Sequence, residues 1–547
     1  MLNKGNASSK NQEISESKYQ KSAIVLIILL SVLAYANTLG NGFVWDDWGM
    51  VYNNQIIKSW ANFPKVFVLN VFQDEGNMNN YCRPLLTISY MLDNSLYKLN
   101  PSGYHLTSLV FHIAAGIMIY FFTFSLFADN KLAFFTGLLF AVHPIHTEAV
   151  GWIAARGDVM FTFFFFTCLY LHLQMQTANN KNKQLMLCLS LLSFLLGLYS
   201  KEIMLILPIM LILVDFYRNR NLKHLRSQIN NWLPYWGLAV FYFFIRSLVF
   251  GFKSSFNPYL EPLARHQILL TFGRAIIYYL TKLIYPINLS AHIAIDLVHK
   301  GLPWDVLAAI IILILSLTYA LLSRKKDPEI SFAILFFWVS LAPLSNLVPI
   351  SYIRGIKFPM AERYLYFPSY GYCLLVAGLL CKLNKFKTRH LALGTVVFFL
   401  MLIFYTAGTV YANSFWESDF ILFKKEARIS PNNYFVNYNI GSFYLDRREY
   451  ALAINHLEKA ARIEPDEYSH FKLAACYYEM GNYPKAIAEN LTALRFNKNL
   501  YASYFNMGIC YKELKKYDLA AQAFQNALRI NPRFNPARQE LNVIRGN

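Results

Sequence analysis

Apolar runs long enough to cross a hydrocarbon core of about 30 Å recur through this chain until about residue 412 and then stop. In lipid every backbone N–H and C=O must find its partner within the segment, so each run is confined to a helix and this part of the chain to a polytopic, all-α architecture. Eleven runs are legible, near 22–39, 105–127, 132–150, 158–176, 185–200, 203–217, 232–250, 304–323, 331–350, 367–382 and 391–411. Composition agrees. Of 547 residues, 56% are apolar and 15% charged, where an ordinary soluble domain has about 45–50% and about 25%. The seven cysteines contain no Cys-x-x-Cys pair and read as small buried hydrophobes, which excludes a zinc or disulfide framework.

The net charge of +19 would fit a nucleic-acid binder, but its placement argues otherwise. Lys and Arg accumulate in the cytoplasmic loops of membrane proteins. Here they gather as Arg218, Arg220, Lys223 and Arg226, as Arg324, Lys325 and Lys326, as Lys382, Lys385, Lys387 and Arg389, and more weakly as Lys181 and Lys183. With the polar tail 1–21 inside and the first run retained as a signal-anchor, eleven spans put all four clusters inside. The amphipathic stretch Gln267–Pro286 then lies in the interface or re-enters; a twelfth span is the competing reading. The same count places 40–104, 143–157, 351–366 and the C-terminus on the outer face. Membrane lipids are expected partners and nucleic acid is not.

Beyond residue 412 the pattern changes to a period of 33 to 34 residues. The unit runs Gly441, Tyr444, Tyr450, Ala453, Leu457, Ala460, Pro465, then Ala475, Tyr478, Tyr483, Ala486, Ala493, then Gly508, Tyr511, Tyr517, Ala520, Phe524, Ala527, Pro532. It resembles the tetratricopeptide repeat, in which small residues let paired helices approach and aromatics fill the gaps between turns. About three units are present, with Asn490 and Lys498 departing from the pattern in the second. The expected organisation is a tail at 1–21, a membrane domain at 22–412 and a repeat domain at 413–547.

Chemistry concentrates in the segments expected outside. Phe43-Val44-Trp45-Asp46-Asp47-Trp48 sets two adjacent carboxylates between tryptophans just after a membrane helix. Desolvation there raises a carboxyl pKa towards the range useful to a general base; the alternative is a turn with a helix cap. Arg83-Pro84-Leu85 and Gly103-Tyr104-His105 follow, then His143-Pro144-Ile145-His146-Thr147-Glu148 and Arg156-Gly157-Asp158. His143, His146 and Glu148 are metal-ligating types, but Pro144 breaks the helix that would align them, so hydrogen bonding at a helix end competes with ligation. Lys201-Glu202, Arg246, Arg274, Arg354, Lys357 and Glu362-Arg363 punctuate apolar sequence. Ionisable groups in such places pair, face a cavity or mark a substrate site. Arginines there suit an anionic phosphate.

Taken together, the Trp-Asp-Asp loop, Arg-Pro-Leu, Gly-Tyr-His, His143–Val150, Lys201-Glu202 and Ala361–Ser369, followed by the repeats, resemble the transmembrane and tetratricopeptide repeat containing protein family. The resemblance spans nearly the whole chain. It implies a GT-C-like membrane domain of about eleven helices followed by an α-solenoid of tetratricopeptide repeats, and a protein O-mannosyltransferase. The implied donor is a polyprenyl-phosphate-linked sugar, mannose or a similar hexose, used at the outer or lumenal face, with a catalytic acid from the first outer loop. Asp46 or Asp47 would be the base of a single inverting displacement. Arg83, Arg354 and Arg363 would hold the phosphate, with His105, His143, His146, Glu148, Arg156, Lys201, Glu202 and Glu362 shaping the substrate site. No cofactor is expected to be required, a divalent metal being the alternative. The repeats would receive an acceptor polypeptide. Having only about three of them suggests a bacterial relative, in the inner membrane with its repeats outside, or in the endoplasmic reticulum membrane for a eukaryotic chain. Two other classes compete. One is a non-catalytic membrane scaffold carrying repeats; the other, a secondary transporter, lacks the internal inverted repeat that such folds show.

Overall fold

The computed structural model describes residues 3–69, 82–219, 226–250, 263–293, 295–346, 358–383 and 393–546, and every regular element among them is helical. The chain forms two compact units, one of Met1–Ala291, Ile295–Tyr352 and Phe358–Asp419, the other of His292–Ala294, Ile353–Lys357 and Phe420–Asn547.

The first unit is a multi-pass membrane domain. Seven of its described helices are long and apolar enough to cross: Tyr19–Gly40, Pro101–Phe127, Ile153–Met175, Asn180–Ser200, Ile229–Val249, Trp304–Ser323 and Leu393–Trp416. Three more, Asn130–Val142, Pro328–Leu344 and Ser369–Leu383, are apolar but shorter. Two expected runs are shortened for visible reasons. The run at 132–150 stops being helical at Val142 because the residue before a proline is pushed out of the helical region; His143 is extended, with φ −68° and ψ 125°. From there the chain makes three short turns, Pro144–His146, Thr147–Gly151 and Ile153–Ala155. The run at 203–217 begins with the tight turn Glu202–Ile206 and becomes helical over Leu207–Asn219. The amphipathic stretch at 267–286 is the helix Arg265–Ile284. It buries Ile268, Phe272, Ile276, Tyr279 and Leu283 along one stripe, while Arg274 pairs with Asp305 at 2.8 Å.

Phenylalanines and tyrosines fill the core. Phe122, Phe166, Phe336, Phe367 and Tyr370 meet with centroids 4.7–6.0 Å apart, edge-on or tilted except for Phe166 and Phe336, which stack with their planes 23° apart at 5.9 Å. Close approach is bought with glycine at one crossing. A Cβ on Gly371 would lie 2.7 Å from the carbonyl oxygen of Ala333.

A single arginine ties three helices together. Arg156, fully buried, pairs with Asp93 at 2.6 Å, donates Nε to Ser108 Oγ at 3.1 Å and Nη1 to Ser89 Oγ at 2.9 Å, and donates Nη2 to the Tyr104 carbonyl at 2.8 Å. Its guanidinium also lies 4.8 Å from the Tyr90 ring. These contacts join Pro84–Tyr97, Pro101–Phe127 and Arg156–Met175.

The second unit is a stack of antiparallel helix pairs: Tyr434–Asp446 with Tyr450–Ile463, Glu467–Glu479 with Tyr483–Phe496, and Tyr501–Glu513 with Tyr517–Ile530, closed by Asn535–Gly546. The repeat residues act as their spacing predicts. A Cβ on Gly441 would meet Leu457 at 2.8 Å and one on Gly508 would meet Phe524 at 2.5 Å, while Ala453, Ala460, Ala486, Ala493, Ala520 and Ala527 are buried. Asn490, at the odd position of the second repeat, is buried by donating to the Ala486 carbonyl at 3.0 Å, which supplies a partner for its amide N–H.

Arg156→Met is expected to strand the Asp93 carboxylate in the core at a cost of about 3–5 kcal/mol. The measurement is folded yield and thermal midpoint in detergent: both should collapse, and adding Asp93→Asn should recover part of each.

Candidate functional site

The loop after the first membrane helix is held in a strained shape. Trp45 has φ +53°, a conformation uncommon for any residue with a Cβ and an outlier for one this large, costing about 1–3 kcal/mol. Its surroundings dictate that shape. The Trp45 N–H donates to Asp419 Oδ1 at 2.7 Å and Trp48 Nε1 donates to Asp419 Oδ2 at 2.7 Å. The Trp45 ring stacks on Trp152 at 4.7 Å with the planes 7° apart, and Trp152 stacks in turn on Trp416 at 5.7 Å.

The strain separates the two adjacent acids. Asp47 is fully buried; its Oδ2 accepts the Val44 N–H at 3.1 Å and its Oδ1 the Ala154 N–H at 2.8 Å, pinning the loop to the turn Ile153–Ala155. Burial pushes its carboxyl well above the usual range against the pull of those two N–H groups, and Asp46 and Asp419 push the same way. Asp46 is only half-buried.

His143 and His146 are tied to the protein by hydrogen bonds. His143 Nδ1 accepts the Ile145 N–H at 3.1 Å, so the proton resides on Nε2, which donates to the Leu283 carbonyl at 3.1 Å. Ser369 donates its hydroxyl to the Tyr366 carbonyl at 2.7 Å, so His146 Nε2, 2.7 Å away, is the donor to Ser369 Oγ. His105 is fully buried against the backbone of Asn41 and Gly42. Among the described residues no three His, Cys, Asp or Glu side chains gather in a metal-holding group.

The charged motifs, scattered over some 280 residues of sequence, converge as ion pairs. Glu148 accepts the Arg363 N–H at 2.8 Å on one oxygen and pairs with the Arg363 guanidinium through the other. That guanidinium lies over Trp152 at 5.1 Å and Tyr364 at 5.2 Å. Lys201 pairs with Asp158 at 2.5 Å and lies 5.4 Å from the Tyr364 ring. Burial lowers the affinity of the Lys201 amine for its proton against the pull of Asp158, and Arg83 and Arg363 lower it further. Glu202 bridges two arginines, Arg83 at 3.1 Å and Arg246 at 3.0 Å. Burial pushes its carboxyl upwards, but Arg83 and Arg246 outweigh that and hold it at about 2. Glu362 is buried, accepting the Tyr278 hydroxyl at 2.6 Å and the Ser290 N–H at 2.9 Å. Arg156, expected among the substrate ligands, is the core tie described above. Arg354 lies outside the described residues.

Beside Arg246 opens a cavity of about 260 Å³ lined by Phe67, Leu195, Tyr199, Phe241, Ile245 and Val249 among others. Phe241, Ile245 and Val249 are exposed on a helix that crosses the membrane, so the groove is open to lipid. Arg246 stood out in the sequence as an arginine inside an apolar run, but its partner lies 44 residues away. Asp419 escaped the sequence reading, being one acid among several after the last membrane helix.

The Tetratricopeptide repeat family model matches residues 436–467 and 501–534. Protein O-mannosyl-transferase F38B6.6 of Caenorhabditis elegans is 25% identical over 458 residues, 81% of this chain and 63% of that protein. Protein O-mannosyl-transferase TMTC1 of Homo sapiens is 28% identical over 502 residues, 81% of this chain and 55% of that protein. Protein O-mannosyl-transferase TMTC2 of Mus musculus is 36% identical over 140 residues, a quarter of this chain and 17% of that protein. The chain thus spans between about half and two-thirds of the length of the first two. Among solved structures, an oligosaccharyltransferase of Archaeoglobus fulgidus tethered to an acceptor peptide aligns over 80% of this chain and 58% of its own at 15% identity and TM-score 0.39. MamA aligns over 23% of this chain and 74% of its own at 22% identity and TM-score 0.22. By sequence, over about four-fifths of its length, the chain is similar to the protein O-mannosyl-transferases F38B6.6 and TMTC1.

Proposed function

We propose that the protein is a membrane glycosyltransferase that moves mannose or a similar hexose from a polyprenyl-phosphate carrier to a hydroxyl of an acceptor polypeptide, at the outer face of the membrane. One observation carries the reading: a lipid-open apolar groove is lined at one point by Arg246, which shares Glu202 with Arg83, in the same unit as a half-exposed acid on a strained loop. That pairing of apolar channel and cationic head is the complement of a long-chain lipid phosphate.

Of the two adjacent acids, Asp46 is the base and Asp47 its support. Asp47 spends both oxygens on backbone N–H groups and sits out of reach of solvent. Asp46 takes the acceptor's hydroxyl proton as the oxygen attacks the anomeric carbon; the bond from that carbon to the phosphate oxygen breaks, and the lipid phosphate leaves with the electron pair. A single displacement inverts the configuration. Arg83 and Arg246, with Arg363 as a further cation of the site, stabilise the charge gathering on the leaving phosphate. His143, His146, Glu148 and Glu362 hold the walls, and no cofactor is called for. The repeats receive the acceptor polypeptide on their concave face, outside the cytoplasm. In a bacterium that membrane is the inner one.

Sugar transfer from a polyprenyl-phosphate donor in purified membranes tests the assignment. Asp46→Asn is expected to lower turnover at least about 100-fold with an unchanged thermal midpoint. Asp47→Asn puts an amide N–H where a backbone N–H now finds an acceptor, so it should lower the midpoint as well. A fully active Asp46→Asn enzyme would remove the proposed base. Transfer should survive excess EDTA; activity lost to the chelator and restored by a divalent cation would shift the arginines' role to a metal. A reporter active only outside the cytoplasm, fused after residue 547, should be active, and silence there would reverse the topology.

A further inference from the structure

The loops at the far end of the membrane unit from Asp46 gather cations that the proposed transfer does not use. The helix Pro101–Phe127 measures the separation. Its Tyr104 carbonyl accepts from Arg156, next to the turn that Asp47 pins, and its Ser125 carbonyl accepts from the Arg218 guanidinium. From Tyr104 to Ser125 the helix rises about 32 Å, at about 1.5 Å per residue, which is the depth of a hydrocarbon core. Arg218 therefore stands at the opposite membrane surface. We propose that Arg218, Arg324, Lys325 and Lys326 form a binding site for the head group of an anionic phospholipid of that leaflet, whose acyl chains lie along the exposed leucines beside them.

Packing brings these residues together from two separate parts of the chain. Leu207–Asn219 carries Arg218 on its last turn, where the neighbouring Tyr217 pairs with the Ser331 hydroxyl and meets the Phe332 ring at 5.3 Å. Those contacts set the end of this helix against the start of Pro328–Leu341. Just before that start runs Arg324-Lys325-Lys326-Asp327, folded back by the N–H groups of Lys326 and Asp327, which donate to the Ser323 carbonyl at 2.9 and 2.7 Å. The Arg324 guanidinium consequently lies over the Phe216 ring at 5.6 Å, two residues before Arg218. A third element, Ser369–Leu383, brings Lys382, whose amine pairs with Asp327. Asp327 also accepts the Tyr319 hydroxyl at 3.2 Å.

The acid of the turn is thus engaged by Lys382 and Tyr319, and the next one along the chain, Glu329, lies in the first turn of the following helix. Arg324, Lys325 and Lys326 are exposed and Arg218 is half-buried; among the described residues none of the four makes an ion pair. Surplus positive charge at one spot takes an anion, and the surroundings select its kind. Leu321 and Leu322, 61% and 80% exposed, immediately precede the turn on a helix long and apolar enough to cross the membrane, and Leu379 and Leu383 are exposed on the helix that carries Lys382. Side chains so placed face acyl chains, so the cations beyond them stand at head-group depth. A phosphodiester on a diacyl tail meets both parts at once, its oxygens taken by guanidiniums and amines and its chains by leucines. A soluble anion would use the cations alone.

The test uses the full chain in mild detergent, with phosphatidylglycerol, phosphatidylcholine and glycerol 3-phosphate as probes and native mass spectrometry as the readout. Phosphatidylglycerol is expected to stay bound under activation that strips phosphatidylcholine. Combining Arg324→Gln, Lys325→Gln and Lys326→Gln should weaken phosphatidylglycerol binding about 100-fold, at about fivefold for each charge removed near a membrane surface, and Arg218→Gln alone about fivefold. Lys181→Gln with Lys183→Gln supplies the control. Those lysines lie in the first turn of Asn180–Ser200, after the far end of Arg156–Met175 and hence at the same surface, and their loss should leave binding within about threefold. A fivefold loss per charge in that control would reveal a general attraction of basic loops and overturn the site, as would a triple variant that binds like the wild type. Wild-type chain that holds phosphatidylcholine as firmly as phosphatidylglycerol overturns it without any variant, a result that stands even if the triple variant fails to fold. Displacement of phosphatidylglycerol by glycerol 3-phosphate at equal concentration would make the occupant a soluble anion and overturn the lipid assignment.

Discussion

A hydrocarbon solvent offers no hydrogen bonds, and that constraint organises both the membrane helices and the charged cluster beside them. Each cation in the cluster is met by an acid from a distant part of the chain: Arg156 by Asp93, Lys201 by Asp158, Arg363 by Glu148, Arg83 and Arg246 by Glu202. An ion left alone there would face a desolvation penalty of several kcal/mol. The pairs also do the work of register. Arg156 fixes three helices against one another, and Glu148 takes both the backbone and the side chain of Arg363, joining the turns after Val142 to the segment before Ser369.

The candidate base is positioned by the same economy. Trp45 is held in an unfavourable backbone conformation by a stack of three indoles and by Asp419, whose two oxygens serve Trp45 and Trp48. Asp47 pins the other side of the loop to the turn containing Ala154. Asp46 therefore sits on a loop with little freedom of its own, the condition under which a general base retains its alignment between substrate encounters. The third tryptophan of the stack, Trp416, ends the last membrane span, so the first and last membrane segments both contribute to the loop's shape.

Much of this was legible in the sequence because it depends on local regularity. The membrane runs, the repeat period and the buried alanines and glycines of the repeats each follow from spacing alone, and the polar motifs interrupting apolar sequence marked the residues that converge. What was not legible depends on long-range pairing. Asp46 and Asp47 are indistinguishable as neighbours in sequence, and the contact that pins one of them to the rest of the domain is the N–H of Ala154, 107 residues from Asp47. Arg156 looks like any arginine near an acid, yet its partner is Asp93 and not the adjacent Asp158, which goes to Lys201. The helical run at 132–150 was overestimated because its hydropathy continues past Pro144 although its backbone cannot.

The cluster's composition also bears on why it exists. A buried ion pair is seldom the most stable filling for its space; apolar residues of the same volume often match or exceed it by about 1–4 kcal/mol. Arg156 and Asp93 fit a structural role, being sealed in with every contact satisfied by protein. Lys201 and Asp158 are nearly as sealed, at 7% and 6% exposed, but the pairs made by Glu202 and by Arg363 differ in kind. Arg83, Arg246, Glu202 and Arg363 are between 19% and 28% exposed at the side chain, although each is tied into a fixed geometry. Partial exposure weakens a pair's own attraction through solvent screening and leaves its charges able to act on a third. Such a set of ion pairs is a poor way to hold a fold together and a good way to hold a charged ligand.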